Sequence, residues 1–180
     1  MNRVASCGLR VCQLDVHVML ANSQPATRNS QQKNMIDKKW IGHSFPPVIA
    51  NVEAGQLGFF AKAVSEKNPI YKDPSAAKEA GYTALPAPPT FGFSLNLATP
   101  NPFQYMQDMG VPLGRVLHGE QTFQYVKPIV AGDEITLQRT IKDILVKKGG
   151  KMELILEEIT LTNQQQEIVG KMKSTIVVRN

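Results

Sequence analysis

From Arg115 onward the chain adopts a strand period and keeps it to the end. Four segments, Arg115 to Tyr125, Glu134 to Val146, Met152 to Leu161 and Glu167 to Val178, are rich in strand-forming residues. Turn signals separate them at Ala131-Gly132-Asp133, Lys148-Gly149-Gly150 and Thr162-Asn163-Gln164-Gln165. Glu153, Glu157, Lys171 and Lys173 fall on one alternation, and Met152, Leu154, Leu156, Met172 and Ile176 on the other. That is the pattern of an antiparallel sheet with one packed face and one wet face, and it puts the two acids in water.

What packs on the sheet has to come from the first half. Leu57, Phe60, Ala61 and Val64 recur at three- and four-residue spacing, so Glu53 to Val64 reads as an amphipathic helix stopped by Asn68-Pro69. Pro74 to Gly81 has the Pro start and Gly stop of a short helix. After the rigid run Leu85-Pro86-Ala87-Pro88-Pro89, the segment Thr90 to Ala98 is apolar enough for a central helix capped by Thr90. Periodicity alone also allows a buried strand there. The expected class is α+β, a sheet wrapped around a central helix, with no internal repeat.

A chain of 180 residues, 42% of them hydrophobic, buries one core and is too short for two ordinary domains. Its net charge of +5 does not describe a nucleic-acid face. Three of the five units come from Arg3, Arg10, Arg28 and Lys33 against Asp15, and no later basic cluster is interleaved with aromatics. Cys7 and Cys12 lie in the same first segment, so a metal site, a disulfide framework and thiol catalysis are not expected in the body. This suits a reducing cytoplasm. No apolar run approaches the roughly 18 residues that span a bilayer. Residues 1–34 end in a polar tract with little to bury, and disorder is expected there. A signal peptide is disfavoured because Arg10, Asp15 and His17 interrupt the apolar stretch. The simpler expectation is a start at Met35, with residues 35–180 as the domain.

Glu66-Lys67-Asn68-Pro69-Ile70-Tyr71 sets an acid and a hydroxyaryl group five residues apart across an Asn-Pro corner. Asn-Pro alone is a common turn dipeptide. Two further blocks accompany it: Gly81 to Phe91, and Val116-Leu117-His118-Gly119-Glu120-Gln121 followed by Val126 to Asp133. Together, from about Lys39 to the C-terminus, they resemble the MaoC-like (R)-specific enoyl-CoA hydratases and 3-hydroxyacyl-thioester dehydratases. The likeness is strongest to the N-terminal-type domain, the fatty-acid-synthase dehydratase region. The resemblance implies a single hot-dog fold. It also implies a corner that runs Ser-Gly-Asp-x-Asn-Pro-(Leu/Ile)-His, whose Asp and His hold and activate one water. The matching positions here are Glu66 and Tyr71.

The family chemistry needs a base for water, an acid for C2 of the enoyl thioester, and backbone N–H groups at a helix start for the thioester oxygen. Glu66 keeps the carboxylate, but its extra methylene moves it by more than about 1 Å, a displacement that can cost about a hundredfold. Tyr71, with an ordinary pKa of about 10, would serve as a base at neutral pH only at a cost of roughly 4 kcal/mol. As an acid or a water-orienting group it meets no such cost. His118, beside Gly119 and Glu120, is the candidate for the missing imidazole; a histidine satisfied within a strand is the alternative. Asn68 marks the substrate side of the corner. Pro88 and Pro89 lack N–H donors, which leaves Thr90 or Phe91 to hold the oxyanion. Phe91, Phe93, Leu95 and Leu97 either line an acyl tunnel or pack the core.

These readings imply reversible hydration of trans-2-enoyl thioesters of coenzyme A or acyl carrier protein. The work is done either by a homodimer using Glu66, Tyr71 and His118, or by a catalytically incomplete subunit beside a hot-dog partner with an intact Asp/His pair. A hot-dog thioesterase using Glu66 and a pure acyl-binding scaffold are the other classes. No metal or redox cofactor, nucleic acid or membrane partner is implied. Pairing with a second chain is expected to cover the open sheet edge.

Overall fold

A computed structural model describes residues 35–180, and the expectations for residues 1–34 lie outside it. The four anticipated strands form nearly where the turn signals put them: β2 (Val116–Tyr125), β3 (Glu134–Lys147), β4 (Met152–Thr162) and β5 (Ile168–Arg179). A short strand with no clear sequence signal, β1 (Val48–Asn51), precedes them. The sheet is antiparallel throughout in the order β1-β3-β4-β5-β2, which leaves β1 and β2 as its edges. The tight turns have local causes. Lys148, Gly149 and Gly150 all take positive φ between β3 and β4. Between β4 and β5, the Asn163 side-chain oxygen accepts from the Gln165 and Glu167 N–H groups at 3.1 and 2.9 Å.

Helix α1 (Ala54–Ala63) buries Leu57 and Ala61, as the spacing requires, whereas Val64 falls beyond its last turn and is exposed. Asp73 caps α2 (Pro74–Glu79) by accepting from the Ser75 N–H at 2.8 Å. Thr90 to Ala98 is helical: α3 (Phe91–Leu97) has Thr90 at its N-cap position, although the Thr90 side chain makes no capping bond. Phe91 and Leu95 join Leu137, Ile159, Leu161 and Met172 in one core cluster, while Leu97 is exposed, so the helix buries one face only. Gly92 permits this contact, because a Cβ there would stand 2.9 Å from the Tyr125 hydroxyl and 3.0 Å from Met172 Sδ. A fourth helix, α4 (Gln104–Asp108), carries Tyr105 and Met106 into a second cluster with Phe45, Ile141, Ile155 and Ile176.

The face expected for β4 is inverted. Glu153 and Glu157 are buried, with 1% and 4% of their surface exposed, alongside Ile155, Ile159 and Leu161. Met152, Leu154 and Leu156 lie on the half-exposed face. β4 carries aliphatic residues on both alternations, so the pattern alone does not fix its face, and the partners decide. Glu153 accepts from the Ile36 N–H and the Asn180 side chain, each at 3.0 Å, tying both ends of the described chain to the sheet. Glu157 pairs with Arg139 at 2.5 Å. For β5 the expectation holds, with Met172 and Ile176 buried and the Lys171 and Lys173 side chains directed outward.

Candidate active site

The corner is built by backbone geometry. Beyond α1, Ser65 turns left-handed at φ 56°, and the Glu66 N–H donates back to the Ala61 carbonyl at 2.8 Å. The Glu66 carboxylate accepts from the Asn68 N–H at 2.9 Å, and the Lys72 ammonium donates to the Glu66 carbonyl. Asn68 in turn accepts from the Ile70 N–H at 3.2 Å and starts the single 3-10 turn Pro69–Tyr71. Asn68 therefore acts locally as a turn residue, and Glu66 is half-buried with one oxygen engaged. Tyr71 is also half-buried. Burial raises its phenol above the ordinary value, and the neighbouring Tyr82 and Glu66 add to the shift. It stays protonated at physiological pH, so it suits an acid or a water-orienting donor and not a base.

His118 stands apart from this pair. No hydrogen bond, ion pair or ring contact among the described residues joins it to Glu66 or Tyr71. It lies exposed on edge strand β2, with Nε2 at 3.1 Å from the Glu120 carbonyl and its ring edge-on to Phe93 at 4.9 Å. A β-bulge between His118 and Glu120 presents it. Gly119 sits in that bulge because a Cβ would stand 2.9 Å from the Thr175 carbonyl oxygen.

At the start of α3 the Phe91 N–H, one of the two expected oxyanion donors, is engaged with the Pro88 carbonyl at 2.9 Å. Thr90 is exposed and Phe91 buried. The Tyr125 hydroxyl lies against Gly92 and donates to the Pro89 carbonyl at 2.8 Å. Burial raises the Tyr125 phenol, partly offset by a hydrogen bond from the Gly92 backbone. Tyr125 was legible from sequence only as the last residue of a strand; the fold brings it to the helix start. Of the proposed acyl-lining residues, Phe91 and Leu95 pack the core, Phe93 meets His118, and Leu97 faces outward.

A second polar centre had no sequence signal. The inner residues Arg139 of β3 and Glu157 of β4 form the seam between the two core clusters. The Arg139 guanidinium also donates to Asn96 Oδ1 at 3.0 Å and lies 3.8 Å from the centre of the Tyr105 ring. Burial raises the Tyr105 phenol far above its ordinary range; Glu157 adds to this and Arg139 opposes it. Glu157 Oε2 is buried without a hydrogen-bond partner among the described residues. No cluster of potential metal ligands occurs among the described residues, and no helix there is long and apolar enough to cross a membrane.

An antiparallel sheet around a short central helix, with an acid-bearing Asn-Pro corner beside it, places the chain among the MaoC-like hot-dog proteins. Residues 39–172 match the family described as FAS1-like, dehydratase domain region, and the chain belongs to that family. It is similar to the UPF0336 protein of Thermobifida fusca (strain YX), 35% identical over 143 residues, covering 79% of this chain and 93% of the relative. A solved MaoC-like dehydratase superposes with a TM-score of 0.68 at 27% identity, over 78% of this chain and 42% of that one. The HadBC (3R-hydroxyacyl-ACP dehydratase) complex of Mycobacterium tuberculosis gives 0.66 at 24%, over 77% and 96%. The ChsH1-ChsH2 complex of the same organism gives 0.61 at 21%, over 76% and 89%. The last two likenesses concern the fold.

Proposed function

We propose that the chain is an acyl-thioester-binding subunit of an enoyl-thioester hydratase or 3-hydroxyacyl-thioester dehydratase, completed by a second hot-dog chain that supplies the base. The observation that carries this reading is Tyr71, which stands where the family has His and whose half-buried phenol is held protonated beside Glu66. A carboxylate and a neutral phenol can orient water and donate a proton, but the imidazole that would take one is absent from the corner. Among the described residues no strand pairs with the outer edge of β2, which offers the partner a place to add a strand. That two structural relatives are complexes, HadBC and ChsH1-ChsH2, supports pairing of unlike chains.

A homodimer is the second reading, favoured by His118. It stands on that same edge, where a second copy could carry it towards a neighbouring corner.

The test is hydration of short and long trans-2-enoyl-CoA by the purified chain, followed by loss of enoyl absorbance, with direct binding measured alongside. Binding without turnover, and turnover on adding a hot-dog chain that carries the Asp/His pair, is the expected result. Turnover by the chain alone that is lost in both Glu66→Ala and His118→Ala would replace this reading with the homodimer. Absence of thioester binding would sink both.

A further inference from the structure

Beyond the C-terminal end of α3 lies an open cavity of about 320 Å³ between α3, α4, β1 and the inner faces of β3 and β4. Its α3 lining residue, Asn96, lies about 7.5 Å along the helix axis from Phe91, at 1.5 Å per residue. Phe45, Val48, Leu137 and Ile159 form its apolar wall, and Thr99, Asn101, Gln104 and Asp108 bring polar groups to its lining. The polar pair Asn96 and Arg139 lies on α3 and β3. Both members of this pair are more than nine-tenths buried. We propose that this cavity receives the distal part of an acyl chain bearing a neutral oxygen acceptor, a hydroxyl, ketone or ether, and that Asn96, held in place by Arg139, binds that oxygen. The inference rests on the acyl-thioester reading and adds the class of chain.

Three observations select a neutral acceptor. Asn96 commits its Oδ1 to Arg139, while its Nδ2 makes no hydrogen bond to the described residues, so the cavity presents a donor. The Arg139 cation is already neutralised by Glu157, and the cavity lining also includes Asp108, so a carboxylate-ended chain finds no uncompensated positive charge. A plain hydrocarbon end would displace water from Asn96 without replacing its hydrogen bond, which is the costly way to bury a donor. Tyr105, beneath the guanidinium and held protonated, braces this arrangement from the Glu157 side.

The chain contains its own reporter. Its single tryptophan, Trp40, stacks on Phe45 at 5.5 Å, and Phe45 lines the cavity. The experiment titrates the full chain with dodecanoyl-CoA, ω-hydroxydodecanoyl-CoA, butyryl-CoA and free hexanol, reading Trp40 fluorescence and, for the thioesters, calorimetric binding. The ω-hydroxy thioester should bind about three- to tenfold tighter than the plain one, the worth of one hydrogen bond. Asn96→Leu should remove the difference. Val48→Phe, at an exposed edge position that lines the cavity, should weaken both long thioesters and spare butyryl-CoA; it keeps the test decisive if the Asn96 variant does not fold. Equal affinity of the two long thioesters overturns the inference while leaving the acyl-thioester reading intact. If no thioester binds but hexanol quenches Trp40 and Val48→Phe abolishes the quench, the thioester reading fails and the oxygen-binding cavity stands. If no probe reaches Trp40, the cavity assignment is overturned.

Discussion

Replacing Arg139 by Met should destabilise the protein by about 3–5 kcal/mol, the usual result of stranding one member of a buried ion pair. The structure puts this site at the severe end. Arg139 and Glu157 are 8% and 4% exposed, and Glu157 Oε2 has no hydrogen-bond partner among the described residues, so loss of Arg139 leaves the carboxylate without its cation. The cation–π contact with Tyr105 is lost as well. Against a total stability of about 5–15 kcal/mol, such a loss removes a large fraction. Glu157→Met should cost a similar amount by stranding the guanidinium. The double variant Arg139→Met/Glu157→Met is the discriminating one. Both charges leave together, and two flexible apolar side chains fill the seam between the clusters, so stability should return to within about 1 kcal/mol of the parent or exceed it. Urea unfolding followed by far-UV circular dichroism and Trp40 fluorescence measures all four proteins, and the interaction energy follows from the cycle. Single variants that each cost less than about 1 kcal/mol, or a double variant that costs their sum, would refute the reasoning.

At the start of α3, Gly92→Ala should cost about 1–3 kcal/mol through its approach to Tyr125 and Met172; in a Tyr125→Phe background the same change should cost less, since the nearest atom is gone. Equal costs in both backgrounds would show that the hydroxyl is not the obstacle. Stability should also fall at high pH. Burial raises the Tyr71, Tyr105 and Tyr125 phenols, so above about pH 10 the unfolded chain releases protons that the native state retains. Stability present below that pH is lost as pH rises, by about 1.4 kcal/mol per unit for the buried Tyr105 alone. Urea midpoints measured at successive pH values check this, and Tyr105→Phe should flatten the decline. A slope unchanged in that variant would contradict it. Gly119→Val should broaden or lose the His118 proton resonances of the wild type, because the β-bulge cannot hold a Cβ 2.9 Å from the Thr175 oxygen. An unchanged His118 spectrum would mean that the bulge tolerates the side chain.

Strand limits were readable because their boundaries are chemical. Gly149-Gly150 and the Asn163 side chain enforce turns whatever packs around them, and the strands between end within a residue or two of their expected places. The face of β4 was not readable, since Leu154 and Leu156 oppose Ile155, Ile159 and Leu161 with equal apolar claim. What settles it is nonlocal: Arg139 on another strand, and Ile36 and Asn180 at opposite ends of the described chain. Edge strand β1 and the short α4 were missed for a related reason. Four- and five-residue elements carry too little periodicity to stand out, and tertiary packing holds them in place.

The candidate site divides along the same line. Its corner is local, and Glu66, Asn68 and Tyr71 are held by bonds spanning a few residues, so their sequence order nearly specifies their geometry. The candidate imidazole and the Tyr125 hydroxyl are not local. Tyr125 reaches the start of α3 from the end of β2, and the Phe91 N–H is taken by a turn that Pro88 creates. His118 projects from an edge strand with no second neighbour among the described residues. A corner fixed by its own sequence holds a carboxylate and a protonated phenol, while the candidate imidazole stands on an edge strand and makes no contact with it among the described residues. The division of labour between two chains that we propose would account for this departure from the family's Asp/His pair.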